Sequence, residues 1–206
     1  MAGPLSSALQ NEILARYFKN TTVISPAATV YVALASAQPT DAAFTEISGN
    51  AYARQACAFG SVTSGTPSYV QNSSIIAFPA VTTAAWSAVV GWGIYDAVTA
   101  GNLLSYGNLM TSLTATANTL ANPTVVTTPT HGMTTGAYCI VSGSNSTPSI
   151  NGIWPIDYVS ATTFSLPVNC TVAGTAGTVL VPTGSVTCNV GDIFQFAASA
   201  ITVNLD

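Results

Sequence analysis

The stretch Ala88–Leu109, AVVGWGIYDAVTAGNLLSYGNL, decides the fold of this chain. An apolar run, Val89–Tyr95, meets a turn cluster of Asp, Thr, Gly and Asn, and a second apolar run, Leu103–Leu109, leads away from it. Branched and aromatic residues on both sides of a Gly-Asn connection predict a β-hairpin. Because most positions of both strands are apolar, we expect the hairpin to be covered on two sides, at the centre of an antiparallel sandwich or barrel.

The composition indicates a protein that is packed among other subunits. The chain has 206 residues, of which 49% are hydrophobic and only ten, seven acidic and three basic, are charged. A typical soluble domain carries about a quarter of charged residues. A surface so poor in charge favours self-association of a free monomer. We therefore expect the native state to be an assembly.

The short apolar stretches and the small number of basic residues argue against a membrane and a nucleic acid as partners. The longest apolar stretches, Ile75–Val81 and Ala84–Ile94, are too short to cross a bilayer. The N-terminal segment lacks a basic region followed by an apolar core, so no signal peptide is expected. The basic residues are Arg16, Lys19 and Arg54, too few for a phosphate-binding surface. We expect neither a membrane nor a nucleic acid as partner.

The four cysteines, Cys57, Cys139, Cys170 and Cys188, form no CxxC pair. Without a secretory signal, buried thiols that behave as small hydrophobic side chains are the favoured interpretation. A bridge between Cys139 and Cys170 is the alternative that the sequence leaves open.

An amphipathic helix is predicted at the N-terminus, with Ser6 or Ser7 as its N-cap and its end before Thr21. The apolar stripe consists of Leu5, Leu9, Ile13, Leu14, Tyr17 and Phe18. Such a helix packs on its own domain or docks on a neighbouring subunit, and the sequence leaves both open.

Five residues are candidates for a subunit contact. They are Leu5, Leu9, Ile13 and Tyr17 of the helix, and Arg54. Arg54 is the lone cation of the first sheet, and we expect it to pair with Glu46 or Asp41 and to set a loop or a subunit contact.

Short strands are predicted along the rest of the chain. In the first part they are Thr29–Ala35, Tyr52–Phe59 and Asn72–Phe78, separated by loops that include Ser61–Ser68. In the Thr-rich part after Thr114 they are Thr124–Thr128, Ala137–Ser142, Gly152–Val159, Thr163–Leu166 and Gly177–Val181. The segment Asp192–Leu205 alternates again and predicts two closing strands of the first domain.

Three groups of residues carry a resemblance to a known family. They are Ser48, Gly49 and Ala51–Arg54; Trp92–Asp96 with Gly101–Leu104; and Gly191–Asp206. On these residues the chain resembles small tailed-bacteriophage virion proteins of the tail-fibre-like, minor structural or head-decoration type. The resemblance covers residues 1 to 114 and 187 to 206.

The resemblance also implies a nested domain. Compact members of the family run from the SYGNLMTSLT strand directly into VGDIFQF, whereas this chain carries extra residues between them. The extra segment, with its His-Gly turn, NGIW and ATTFSL, resembles small β-modules of phage virion proteins. We expect an all-β fold: a jelly-roll-like antiparallel β-sandwich with one N-terminal helix, residues 1–117 and 185–206, bearing a small β-module, residues 118–184.

The sequence offers little for catalysis or metal binding. His131 precedes a Gly, where a role in a turn is the ordinary explanation. Carboxylates that could meet in space are Asp41, Glu46, Asp96, Asp157 and Asp192, but no spacing pairs them, and Asp96 and Asp192 suggest turn residues that bind nearby backbone N–H groups. No zinc or calcium motif is present. We expect no catalytic residue, cofactor or metal ligand.

The sequence therefore predicts a non-enzymatic virion protein, made in the host cytoplasm. A head decoration or cement protein is favoured slightly over a tail, fibre or baseplate component. The expected partners are the major capsid protein or other virion proteins and further copies of the chain, with a trimer favoured. The rival is a host-receptor or glycan-binding module, for which Tyr138, Trp154 and Tyr158 would be exposed contacts; the tryptophans are otherwise expected in the core.

Overall fold

The predicted hairpin is present in the structure, a computed structural model that describes residues 5–22, 24 and 27–205 and, for the backbone alone, Ala2 and Gly3. Strands Gly91–Tyr95 and Leu103–Asn108 pair antiparallel, and all five residues of the first strand are buried. Between them the Asp96 carboxylate accepts hydrogen bonds from the backbone N–H of Asn102 at 2.6 Å and from its side-chain amide at 2.7 Å. The turn role predicted for Asp96 is confirmed.

The described chain consists of one helix and seventeen short strands. Up to the hairpin they are β1 (Ala2–Gly3), α1 (Ser7–Lys19), β2 (Val30–Ala35), β3 (Gln55–Cys57), β4 (Ser68–Gln71), β5 (Ile76–Ala77), β6 (Gly91–Tyr95) and β7 (Leu103–Asn108). Next come β8 (Thr111–Thr114), β9 (Ala117–Asn118), β10 (Thr124–Thr127), β11 (Tyr138–Ser142), β12 (Gly152–Pro155), β13 (Asp157–Ser160), β14 (Thr163–Leu166) and β15 (Thr178–Val181). The chain closes with β16 (Gln195–Phe196) and β17 (Thr202–Leu205). The all-β class with one N-terminal helix is confirmed.

The chain forms two compact units, Met1–Leu109 with Ser185–Asp206, and Met110–Gly184. The sequence placed the first boundary at 117/118, and the structure places it at 109/110. The reason is that β8 pairs antiparallel with β15, so Thr111–Thr114 is a strand of the second unit. Residues 1 and 206, the predicted ends of the first domain, lie outside the described residues.

The core of the first unit joins residues from both ends of the sequence. Its sheets have the orders β3-β2-β6-β7, β1-β17-β4 and β16-β5, and β1 pairs parallel to β17. The buried cluster consists of Val32, Leu34, Ile47, Cys57, Ile76, Phe78, Val81, Trp86, Val89, Trp92, Ile94, Leu109, Cys188, Phe194, Phe196 and Ile201. The Phe78 ring packs edge to face on Phe194 and Phe196, with centroids 6.0 and 6.5 Å apart. The segment after residue 185 therefore completes this core.

Two glycines of the hairpin permit close approach around Trp92, which is fully buried. A Cβ atom on Gly107 would lie 2.7 Å from Cζ2 of the Trp92 indole, and one on Gly91 would lie 2.8 Å from the Gly107 carbonyl oxygen. Glycine inside a strand marks such contacts. Gly107 thus lets the Trp92 ring pack against a bare backbone, and Gly91 lets the two strands of the hairpin approach closely.

The second unit is built from two four-stranded antiparallel sheets with a shared core. Their orders are β13-β14-β10-β9 and β12-β11-β15-β8. The buried cluster consists of Ala115, Val126, Met133, Cys139, Val141, Ile150, Ile156, Phe164, Leu166, Cys170, Val179 and Val181. Inward residues alternate with outward ones in β11 and β15, as expected for strands with one solvated face.

Several predicted strands differ in extent. The segment predicted as Tyr52–Phe59 is paired only over Gln55–Cys57. The strand Gly152–Val159 is divided at Ile156, which is buried and separates β12 in one sheet from β13 in the other. Ser68–Gln71, which begins at the last residue of the predicted loop Ser61–Ser68 and ends before the predicted strand Asn72–Phe78, pairs with β17. That pairing joins residues about 130 positions apart, which local sequence patterns do not report.

The helix α1 agrees with its prediction. Ser6 is the N-cap, and its hydroxyl oxygen accepts a hydrogen bond from the Leu9 N–H at 3.3 Å. The helix ends at Lys19, where Asn20 adopts the left-handed conformation with φ 52°. Among the described residues, the structure contains no helix with the length and apolar character of a membrane span.

All four cysteines are buried free thiols, so the bridge between Cys139 and Cys170 is not formed. Burial raises the pKa of Cys57 to about 11 and that of Cys139 to about 12. The pKa of Cys188 is also raised, first by burial and then by the charge of Asp192. The interpretation as small hydrophobic side chains is confirmed.

We expect none of these thiols to react with Ellman's reagent in the native chain near pH 8, and all four to react in denaturant. The attacking species is the thiolate, which the raised pKa makes scarce at that pH for Cys57, Cys139 and Cys188, and burial keeps the reagent from Cys170. The measurement is the absorbance released with and without guanidinium chloride. Rapid release of one equivalent from the native chain would show that a cysteine is exposed.

Candidate assembly surfaces

The N-terminal end of α1 is attached to the first unit by hydrogen bonds. The Ser6 N–H donates to the Leu104 carbonyl at 2.9 Å, and the Ser6 hydroxyl donates to the Leu103 carbonyl. The Asp41 carboxylate accepts from the Ser7 N–H at 2.7 Å and from the Ser7 hydroxyl. These two bonds lower the pKa of Asp41, the side-chain bond more than the backbone bond. A carboxylate at this end also complements the helix dipole.

The inward face of α1 is polar or small. Glu12 and Ala15 are its buried residues. The Glu12 carboxylate accepts from Nε of Arg16 at 2.8 Å and from the Ile24 N–H at 2.6 Å, while the Arg16 guanidinium also donates to the Ile24 carbonyl at 3.2 Å. The helix is therefore held by ionic and hydrogen-bonded contacts in addition to its half-buried Leu9 and Ile13.

The outward face of α1 is apolar and exposed. Leu14, Tyr17 and Phe18 retain 56, 77 and 81% of their accessible surface. Leu9 and Ile13 are half-buried and border two apolar clefts. An exposed patch of large apolar residues marks an interaction site. The residues Leu14 and Phe18 belong to the predicted stripe but were not among the predicted contacts.

The predicted helix contacts Leu5 and Tyr17 differ in how much of their surface is exposed. Leu5 is half-buried and forms a β-bridge with Ser105, so it serves the first unit. Tyr17 is freely exposed. Of the candidate helix contacts, Tyr17 fits a subunit contact best, while Leu9 and Ile13 are available only at the edges of the clefts.

Arg54 was predicted to set a loop or a subunit contact, and in the structure its side chain binds partners within the first unit. Its side chain is 8% exposed. Nε and Nη2 donate to the two Glu46 carboxylate oxygens at 2.9 and 2.8 Å, and Nη1 donates to the carbonyls of Ala97 and Ala100 at 2.9 and 2.7 Å. The guanidinium lies over the Tyr95 ring, 3.6 Å from its centroid. Arg54 thus fastens the turn of the central hairpin.

The predicted pairing of Arg54 with Glu46 is confirmed, and Asp41 binds Ser7 instead. Burial alone would lower the pKa of Arg54, but the hydrogen bonds and charge of Glu46 outweigh it, so the pKa is raised. The Tyr52 hydroxyl donates to Glu46 and accepts from the Leu34 N–H, both at 2.9 Å. Burial raises the pKa of Tyr52. These residues form one continuous network from β2 to the hairpin turn.

The three aromatic residues proposed for receptor contact differ in exposure and in the sheet to which they belong. Tyr138 and Tyr158 are 60 and 51% exposed, but they belong to different sheets. Trp154 lies opposite Cys139, which is fully buried, so it faces the core. Its Nε1 donates to the Ile150 carbonyl at 2.7 Å. A receptor site would require all three side chains to be exposed, which holds for the two tyrosines and not for Trp154.

His131 is a core residue of the second unit. Its Nδ1 accepts from the Met133 N–H at 3.1 Å, which assigns the proton to Nε2, and Nε2 donates to the Ser160 carbonyl at 2.9 Å. The ring packs edge to face on Tyr158 and Phe164, with centroids 5.9 and 5.4 Å away. Its 1% exposure leaves no access for a substrate. The sequence predicted a role for His131 in a turn. The structure shows that its ring also contacts Tyr158 and Phe164 and binds backbone groups of Met133 and Ser160.

The described carboxylates are dispersed. Asp192 accepts from the Asn189 N–H at 2.8 Å, which confirms its predicted turn role. Within the described ranges no group of three His, Cys, Asp or Glu side chains lies close enough to hold a metal ion.

Arg54, His131 and the aspartates of the turns hold their own units together, whereas apolar and aromatic side chains are exposed. Exposed apolar side chains of this kind mark interaction surfaces. Residues 4–138 match the model of a family described as podophage GP4 fiber I protein gp80. The match covers more than half of the chain, which therefore belongs to this family of phage structural proteins. A search of curated proteins found no match.

The matched range differs from the range of the sequence resemblance. It continues past residue 114 through β9 and β10 of the second unit and ends at Tyr138, the first residue of β11. It does not include residues 187–206. The resemblance to tail-fibre-like phage virion proteins is confirmed.

Proposed function

We propose that this chain is a non-enzymatic subunit of a bacteriophage particle that acts by packing against other virion proteins and further copies of itself. The outward face of α1 carries this proposal, because Leu14, Tyr17 and Phe18 are exposed on a chain with 5% charged residues. Burial of apolar surface contributes about 25 cal/mol per Å². Repetition in a symmetric particle multiplies modest contacts into stable attachment.

Within the particle we assign the chain to the fibre apparatus. The description of its family, a fiber I protein, supports this assignment. The alternative is the head decoration that the sequence favoured slightly, with the major capsid protein as partner. Both locations require exposed contact surfaces, so an experiment on intact particles has to separate them.

A peptide epitope inserted after Ser64, in the exposed loop 61–67, makes the chain visible in intact phage. Immunogold electron microscopy of purified particles is expected to show gold at the fibres, with untagged phage as the control. Gold distributed over the head would establish decoration and contradict the fibre assignment. Detection of the epitope in the lysate but not in purified particles would contradict the virion proposal itself.

A receptor- or glycan-binding module is the second candidate. The exposure of Tyr138 and Tyr158 favours it. The inward position of Trp154 and the placement of the two tyrosines in different sheets count against a single aromatic platform. Surface packing is therefore the better supported function.

A further inference from the structure

Strand β8 is an edge of the second unit whose outer side is open. Its sheet has the order β12-β11-β15-β8, so β15 lies on one side of β8 and no strand of the described chain lies on the other. The Ala115 N–H donates to the Gly177 carbonyl at 2.9 Å, and with the observed register this bond fixes the alternation along the pair. Ser112 and Thr114 therefore direct their backbone N–H and carbonyl groups away from β15.

These outward groups have no partner among the residues that the structure describes. No hydrogen bond joins the N–H or carbonyl of Ser112 or Thr114 to any of them, and both residues are exposed. Leu113, between them, packs on the core of the unit but stays half-buried. Val179 and Val141, which follow it across the sheet, are buried. A further strand beside β8 would complete both the hydrogen bonds and this inner row.

The other three edges of the second unit are closed. Natural proteins protect exposed strand edges with proline, bulges, charge or a covering segment. The edge strand β12 ends in Pro155, which has no N–H to offer. The edge strand β13 is bulged, and its Tyr158 N–H donates to the Thr135 hydroxyl at 2.9 Å. At β9 the Asn118 N–H donates to the Gly174 carbonyl at 3.0 Å. In contrast, β8 reads TSLT, has a regular register and lacks all of these protections.

The same edge of a second copy fits β8 without any change. In an antiparallel pair about a two-fold axis, Ser112 of one copy lies opposite Thr114 of the other, and Leu113 lies opposite its own equivalent. All the free backbone groups of the two edges are then satisfied by four hydrogen bonds. The two Leu113 side chains meet on the inner face, as a cross-strand pair does.

The charge distribution selects a second copy as the partner. A two-fold contact places identical residues near each other, so any charge on the edge would meet a like charge. Edges that must not pair with themselves carry charge, Lys above all. Strand β8 is uncharged, and the one Asp, Glu, Lys or Arg among residues 110–184 is Asp157, in a strand of the other sheet. Because the other edges are closed, the pairing ends with two copies.

We propose that β8 of this chain pairs antiparallel with β8 of a second copy, about a two-fold axis at Leu113, and joins the two β12-β11-β15-β8 sheets into one sheet of eight strands. This rests on the proposed function, because it names one contact of the packed subunit. The contact is small beside the roughly 800 Å² per partner of a standard interface. It is therefore weak between free chains and is strengthened by neighbouring contacts in a particle.

Cysteine cross-linking of the full chain tests the register. The chain is oxidised mildly at about 1 mM, an effective concentration typical of linked partners. Opposed Cα atoms of an antiparallel pair lie about 4.5 to 5.5 Å apart, within the range of a disulfide. We expect Leu113→Cys to form covalent dimers by itself, and Ser112→Cys to form them with Thr114→Cys. Ser112→Cys alone should form few, because two such residues lie about 9 Å apart.

The cross-linking result can also contradict the pair. The four native thiols are buried, so the unmodified chain serves as the blank. Dimers of Ser112→Cys alone as abundant as its heterodimers with Thr114→Cys, or no dimer in any variant, would overturn the proposal.

A proline at position 114 tests the hydrogen bonds. Thr114→Pro removes an N–H that points away from β15, so the ladder of the second unit is kept. Thr114→Ala retains this N–H and is the matched control. In a dilution series followed by small-angle X-ray scattering, we expect Thr114→Pro to raise the Kd of the dimer at least about tenfold, since two of the four bonds are lost. Thr114→Ala should leave the Kd unchanged.

An equal Kd in the two Thr114 variants, or a wild-type chain that stays monomeric at about 1 mM, would overturn the edge pair. If Thr114→Pro does not fold, the cross-linking result decides. If the edge pair is overturned and the epitope-tagged chain is still present in particles, the proposed function stands without this contact.

Discussion

Replacing Arg54 with alanine is expected to lower the free energy of unfolding of the first unit by about 3 to 5 kcal/mol. The substitution leaves the Glu46 carboxylate without its bidentate partner and the carbonyls of Ala97 and Ala100 without a donor. It also removes the cation over the Tyr95 ring. The measurement is urea unfolding followed by hydrogen exchange of peptides from the first unit.

Two further variants make the Arg54 result specific. Glu46→Gln is expected to cost less, because Arg54 keeps the two carbonyls and the Tyr95 ring as partners. Thr82→Ala, at an exposed position of the same unit, is expected to change stability by less than about 0.5 kcal/mol. A loss of only about 1 kcal/mol in Arg54→Ala would show that the pair behaves as an ordinary surface salt bridge.

For the second unit, His131→Ala is expected to lower the free energy of unfolding by about 3 kcal/mol. The change removes a buried ring from between Tyr158 and Phe164 and leaves the Met133 N–H and the Ser160 carbonyl without their partner. Hydrogen exchange in urea should show this loss in peptides of 110–184 and little change in peptides of the first unit.

The neighbouring Thr130→Ala is the matched control for His131, because Thr130 is exposed. It is expected to leave exchange in the second unit almost unchanged. If His131→Ala proved equally mild, the histidine would be a loop residue and its buried position would be in doubt.

Local sequence patterns were sufficient to predict the hairpin and α1. The runs of branched and aromatic residues around Gly101 and Asn102 predicted both strands, and the structure pairs them as Gly91–Tyr95 with Leu103–Asn108. The adjacent Ser6 and Ser7 predicted the N-cap, which the structure places at Ser6. In both cases the determining residues are neighbours in sequence.

Distant contacts account for what the sequence did not predict. Arg54 was predicted to pair with Glu46, eight positions away, but its burial depends on Ala97 and Ala100, more than forty positions away. The inward direction of Trp154 follows from its register with Cys139. Leu14 and Phe18 are exposed because the buried Glu12 and Ala15 face the first unit, so that only part of the apolar stripe lies against it.

The segments at which the chain leaves and re-enters the first unit bind adjacent residues. The Leu109 N–H donates to the Val90 carbonyl at 2.8 Å, and Val186 exchanges hydrogen bonds of 2.8 and 2.9 Å with Val89. These bonds hold the two ends of residues 110–184 close together within the first unit, so that closing the segment between them costs little loop entropy. Recombination at this junction can replace the second unit with another domain whose termini lie close together, because the first unit keeps its own hydrogen bonds. The same junction offers an attachment point for foreign cargo displayed on phage.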